Sequence, residues 1–218
     1  MSKEQPIDVR DMAIVHRAFR TSYAESARLV RAASTPSPAR VEFLADHIDF
    51  GISVLHHHHE SEDALLYPKI IERVPEQAPM TEEVEHEHEA VAAVLDDASR
   101  ACAAWRAAPS KETNEALAVA LDKTSAELER HLDDEEQKVV PLAAVTLTQE
   151  EWDKIGEHAV SLIPRDQRPI AFGMITESCS EADRAYMKRP LPAVVKMLYP
   201  ILMERPYAKY SKTLRSGS

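Results

Sequence analysis

His58-His-Glu-Ser-Glu62-Asp-Ala-Leu-Leu-Tyr-Pro68 and His131-Leu-Asp-Asp-Glu135-Glu-Gln-Lys-Val-Val-Pro141 are written on one plan. In each, a histidine is followed four residues later by a glutamate, then by a second acid, and ten residues on by a proline. Residues four apart share one face of an α-helix, so each His–Glu pair projects the same way. Around His131 that face reads Leu117, Leu121, Thr124, Leu128, His131, Glu135, Val139, Leu142. Around His58 it reads Leu44, His47, Gly51, Leu55, His58, Glu62, Leu65. Alternating steps of four and three are the inward seam of a helix in a bundle, here interrupted by an imidazole and a carboxylate.

Two further seams complete the set. Val84, His88, Val91, Leu95, Ala98, Cys102 and Trp105 place His88 inward, whereas His86 lies about 200° round the helix. Met12, His16, Phe19 and Tyr23 share one face of a first helix. Breaker clusters divide these segments: Ser34-Thr-Pro-Ser-Pro38, then Pro75 and Pro79, then Pro109. The expected helices run from about Asp8 to Ala33, Ala39 to Val74, Thr81 (as N-cap) to Ala108, and Lys111 (capped by Ser110) to Val145. Short connections between long helices predict an all-α, up-down-up-down four-helix bundle over residues 1–146. Pro68 and Pro141 are expected to end or kink their helices.

Residues 147–218 differ. They open on the capping box Thr148-x-x-Glu151, carry six prolines, and hold 11 basic against 9 acidic residues in a chain whose net charge is −11. A helical, Pro-rich C-terminal extension packed on the bundle is the expectation. His158, Lys209, Lys212 and Arg215 read as surface charge.

Composition bounds the function. An excess of 37 acidic over 26 basic residues argues against a nucleic-acid partner. Only 4 glycines argue against a loop-rich β fold. Two cysteines far apart form no disulfide framework, and no stretch approaches the 18 apolar residues of a spanning helix or forms a signal peptide, so the expected setting is cytoplasmic, with no membrane partner.

Depth along the helices can be counted. His16 lies about 17 residues before its helix ends and His58 about 19 after the next begins; His88 and His131 each lie about 20 from their shared turn. At about 1.5 Å per residue, all four meet in one layer together with Glu62 and Glu135. Two buried carboxylates without a basic partner on the seams call for cations. Imidazole with carboxylate suits Fe, Mn or Zn, and a site without Cys is unlike a structural zinc site. Six ligands are too many for one tetrahedral ion but suit two ions, each with two His nitrogens, bridging oxygens from Glu62 and Glu135 and a shared solvent oxygen. The remaining histidines of the run His56–His59 read as solvent-side, with His57 a spare ligand or proton carrier and His59 a partner of Asp63. Tyr23 and Tyr67 read as packing, and His47 as a residue near a helix end.

The order H…HxxxE…H…HxxxE, carried by His16, His58, Glu62, His88, His131 and Glu135, resembles hemerythrin-like proteins of the HHE cation-binding group. The resemblance covers about two-thirds of the chain. It implies a four-helix bundle with two iron ions bridged by an oxo or hydroxo group, Mn or Zn being less favoured, and with O2, peroxide or a related small oxidant as partner. Oxygen-carrying hemerythrins have HxxxH on the third helix and a carboxylate five residues after the His of the fourth. Here Ala92 and Val84 flank His88 and the fourth helix has HxxxE. That departure implies a less nitrogen-rich site, inclined to redox reactivity over reversible O2 carriage. The two functions that follow are a di-iron oxidoreductase and an iron- or oxygen-sensing module without turnover.

Overall fold

The structure is a computed structural model, and it describes residues 6–33 and 36–216. Residues 1–5, where the expectation of no signal peptide falls, Ser34 and Thr35 of the first breaker cluster, and residues 217–218 lie outside the described residues. No strand occurs among those described.

Helix α1 (Arg10–Ala32) is followed by α2 (Pro38–Leu65), which Ser37 caps by accepting the Arg40 amide, with Pro38 in the first turn where no amide is needed. A short α3 (Tyr67–Arg73) leads through a 3-10 turn (Pro75–Gln77) into α4 (Ala78–Ala107). Then comes α5 (Lys111–Asp134), which Ser110 and Thr113 start as a reciprocal capping box. Helix α1 packs on α2 and α5, and α4 packs on α2 and α5, so the four long helices enclose one core. The seam expected on α4, Val84 through Trp105, is buried residue for residue.

Helix bounds and seams differ from the expected ones in four places, two of them at Pro68 and Pro141, where the expected break or kink occurs. The third long helix begins at Ala78 and not at a Thr81 cap: Pro79 fits the first turn, where it lacks only a donor the helix does not need, and the Thr81 hydroxyl bonds back to the Gln77 carbonyl at 3.0 Å. The second breaks at Leu66, ahead of Pro68, giving two helices where one was expected. The fourth opens into a π-turn over Glu135–Val139, in which the Val140 amide donates to the Glu135 carbonyl, before α6 (Val140–Thr146). The wider turn stands directly ahead of Pro141, whose ring a regular α-turn would drive into a carbonyl. It also inserts a residue into the seam, so that Val140, Ala143 and Leu147 are buried in place of the expected Leu142.

The last shift is on α2, whose most buried seam is Val41, Ala45, Ile48, Ile52, Leu55, His59, Glu62 and Leu66, not the stripe through Gly51 and Leu65. Helix α2 faces α1, α4 and the C-terminal segment together, so more than one stripe is covered.

Beyond residue 147 the chain is helical: α7 (Gln149–Leu162), α8 (Arg168–Thr176), α9 (Glu181–Met187), α10 (Ala193–Met197), a π-turn (Pro200–Glu204) and α11 (Arg205–Arg215). The Thr148–Glu151 capping box forms as the sequence predicts. Trp152 and Ile155 of α7 bury against Met12, Leu66, Tyr67 and Val139, and the Trp152 indole donates to Asp11 at 2.9 Å. Helix α8 lies on α1, and α11 lies on α8. Gly173 makes that second contact possible, because a Cβ there would fall 2.1 Å from the Tyr207 ring.

Two groups expected at the surface, His47 and Arg215, help to anchor the tail. His47 is buried and hydrogen-bonds the Tyr210 hydroxyl at 2.7 Å. Arg215 bridges Glu25 and Glu177, and the Arg40 guanidinium donates to the Thr213 and Leu214 carbonyls that close α11. No described helix is long and apolar enough to cross a membrane.

Candidate metal centre

The four inward histidines and the two glutamates meet where counting placed them. His16 (α1), His58 and Glu62 (α2), His88 (α4), His131 (α5) and Glu135 (the π-turn) are all buried in one layer. His16 Nε2 stands 3.2 Å from His58 Nε2 and 3.3 Å from Glu135 Oε2; His58 Nε2 stands 3.1 Å from Glu62 Oε1. The other Glu62 oxygen faces His88 Nε2 at 3.9 Å.

A seventh residue joins them. His59 is 5% exposed; its ring stacks on His88 at 4.0 Å between centroids and meets His131 edge-on at 5.1 Å. The expectation of a solvent-side His59 paired with Asp63 is therefore overturned: His59 points inward between α2 and α4, and Asp63 instead accepts from His88. The signal was in the sequence. Ile48, Ile52, Leu55, His59 and Glu62 alternate at four and three as cleanly as the stripe through His58, which has Gly51 in it. His56 is exposed and His57 half-buried, its Nε2 near the Ser53 hydroxyl at 3.2 Å.

The donor atoms form two adjoining groups: His59, His88 and His131 in one, His16, His58, Glu62 and Glu135 in the other. The third nitrogen that the sequence seemed to lack on the third helix comes from the second, so the layer holds five histidines and not four.

Three of the imidazoles are fixed by a carboxylate on their outer nitrogen. His16 Nδ1 bonds Glu136 at 2.9 Å, His88 Nδ1 bonds Asp63 at 2.7 Å, and His131 Nδ1 bonds Glu87 at 3.2 Å. Each carboxylate neighbours a donor residue in the sequence and serves a histidine on another helix. Arg20 and Arg130 hold Glu136 and Glu87 from outside. With the proton on Nδ1, each Nε2 presents a lone pair to the interior. Tyr67, read as packing, is fully buried, and its hydroxyl donates to Glu135 Oε1 at 2.9 Å. The π-turn beginning at Glu135 and the break at Leu66, next to Tyr67, bring these two together.

Electrostatics show what the layer lacks. Burial first, and then the charges of Glu135 and Asp63, hold the Glu62 carboxyl well above its ordinary 4.5. Burial would also raise Glu135, but hydrogen bonding and charge from His16, with charge from His131 and His58, bring it below its ordinary value. Burial and neighbouring imidazoles push His58 and His59 far down, and burial takes His131 to about 4. Burial would lower His16, but hydrogen bonding and charge from Glu135 and Glu136 raise it, so it alone is a ready donor, while the His58, His59 and His131 rings are neutral with lone pairs turned inward. Accordingly Glu62 Oε1 and Oε2, Glu135 Oε2 and the Nε2 atoms of His59, His88 and His131 are buried without a hydrogen-bond partner. That concentration of unpaired acceptors is exceptional for a protein interior. Hydrogen bonding among the residues themselves does not account for it, and the clustered nitrogens and carboxylate oxygens could hold a metal ion. The donor set therefore fits bound metal.

Residues 8–143 match the family model described as Hemerythrin HHE cation binding domain. The chain belongs to this family. The hemerythrin match takes in all seven inward donor residues and stops before α7, so the C-terminal helices lie outside it. No curated protein and no solved structure matches the chain.

Proposed function

We propose that the chain is a di-iron protein whose open positions react with O2, peroxide or a related small oxidant. The observation that carries the reading is the set of inward-facing nitrogens and carboxylate oxygens with no partner of their own. His59, His88 and His131 would hold one ion, His16 and His58 the other, with Glu62 and Glu135 between them. Nitrogen and oxygen donors without thiolate suit iron, and membership of a cation-binding family supports a metal there. When bound, iron supplies one-electron redox chemistry and Lewis-acid polarisation of a small oxidant.

The chain's own part is to prepare that environment. Asp63, Glu87 and Glu136 hold the outer nitrogens of His88, His131 and His16, so no ring must rotate to become a ligand. Tyr67 holds Glu135 and keeps a hydroxyl proton at its Oε1 atom. Leu55, Leu128 and Leu132, all fully buried, line the neighbouring core and exclude bulk water. Five histidines remove the sequence-based reason to set aside reversible O2 binding, so binding and turnover both remain in scope for the same centre.

The test is purified protein loaded with iron, compared with a His58→Ala, Glu62→Ala variant. The reading expects an iron-dependent visible absorption and faster peroxide breakdown in the unmodified chain. Equal peroxide rates in the two proteins, together with no spectral change of the reduced protein under O2, would remove the reactive claim.

A further inference from the structure

Between α1, α2 and α8 lies a narrow cleft that is not part of the donor layer. It is lined by Phe19, Tyr23, Phe50, Gly51 and Val54, and α8 roofs it with Met174 and its neighbours. Its volume of about 20 Å³ suits one very small molecule. The walls are almost wholly apolar. Water needs two to four polar partners to settle in such a space, whereas apolar cavities take up nonpolar gases.

Its position gives it meaning. Phe19 is one turn from His16 on α1, and Val54 is one turn from His58 on α2. The Phe19 ring lies 5.2 Å from the His58 ring, so a single aromatic side chain separates the cleft from the donor layer. At the outer end, Gly51 leaves open space where a Cβ would stand, with no atom within 4 Å. Tyr23, 3% exposed, has a buried hydroxyl with no hydrogen-bond partner among the described residues, so nothing ties its ring across the opening.

We propose that this cleft is an entry chamber for a nonpolar diatomic molecule of the size of dioxygen, which passes Phe19 to reach His58. The proposal rests on the di-iron reading for its destination, but the chamber itself can be tested without metal chemistry. It also assigns a task to the C-terminal segment, because α8 closes the outer side of a passage that the long helices alone would leave open to water.

The experiment has two arms on the full-length chain as purified. Xenon is the probe in the first: a crystal under xenon pressure should show one atom between Phe19, Gly51 and Met174, absent in Gly51→Leu, whose side chain fills the space. Xenon found only elsewhere, or nowhere, overturns the chamber whether or not the protein carries iron. In the second arm, the reduced iron-loaded chain is mixed with O2 in a stopped-flow instrument. Gly51→Leu, and independently Met174→Trp from the opposite wall, should each slow the bimolecular phase at least fivefold while iron content stays at the wild-type level. Unchanged rates in both variants, with the chamber filled, would place entry at the slightly exposed edges of His58 and His88 and overturn the proposal. A chain that holds xenon in the cleft but binds no iron would sustain the chamber and refute the di-iron reading, so the two failures are distinct.

Discussion

Replacing Glu62 by glutamine should make the metal-free chain more stable and the metal-loaded chain less so. Both Glu62 oxygens are buried without a hydrogen-bond partner, and burial with the charges of Glu135 and Asp63 holds the carboxyl well above its ordinary 4.5. A group raised in this way favours the folded state only below its ordinary value, and that contribution is lost as pH rises through the raised one. At about 1.36 kcal/mol for each pH unit above 4.5, a carboxyl that stayed protonated at pH 7 would carry a penalty of up to about 3 kcal/mol, and one at pH 5 less than about 1 kcal/mol. Glutamine keeps the shape and removes the titration. In urea unfolding after exhaustive chelation, Glu62→Gln should therefore gain up to about 3 kcal/mol at pH 7 and less than about 1 kcal/mol at pH 5. With metal restored, the variant should lose much of the added stability that binding gives the parent. A loss of stability on substitution in the metal-free chain at pH 7, or a gain independent of pH, would mean that the Glu62 carboxyl carries no burial penalty there.

Three further outcomes follow from the same geometry. His59→Ala should lower bound metal from two ions toward one, because only the His59–His88–His131 group is broken, while the control His56→Ala should leave it unchanged; metal analysis on desalted protein reads this directly. Tyr67→Phe leaves the ring packed against His88 but strips a donor from a buried carboxylate, and should cost about 1.5–3 kcal/mol in thermal or urea unfolding of the metal-free chain. Gly173→Ala, which would set a Cβ against the Tyr207 ring, should cost about 1–3 kcal/mol, and a Tyr207→Ala change in the same chain should relieve most of that loss in a double-mutant cycle.

Most of the donor layer was readable because its residues break apolar stripes. A histidine or glutamate on a seam that is otherwise leucine or valine has few explanations, and the α4 seam through His88 is buried as written. His59 escaped because α2 is covered on several sides: two stripes one residue apart are both buried, and choosing the one through His58 set its neighbour outside. The exchange of Leu142 for Val140 and Ala143 came from the π-turn, which periodicity does not announce, although Pro141 marks the place where a regular helix must yield. Tyr67 escaped for a related reason, since its direction depends on the break at Leu66 and not on the helix before it. The C-terminal helices were legible only at the Thr148–Glu151 box; their docking depends on distant partners such as Gly173–Tyr207, His47–Tyr210 and Arg40 with the last carbonyls of α11.

The most direct measurement is a crystal structure of the iron-loaded chain with anomalous data collected at the iron edge. Two anomalous peaks are expected, one among the inner nitrogens of His59, His88 and His131 and one between His16 and His58, with Glu62 and Glu135 reaching both. A layer without peaks after loading, or iron held only by exposed side chains such as His56 and His86, would contradict the di-iron reading.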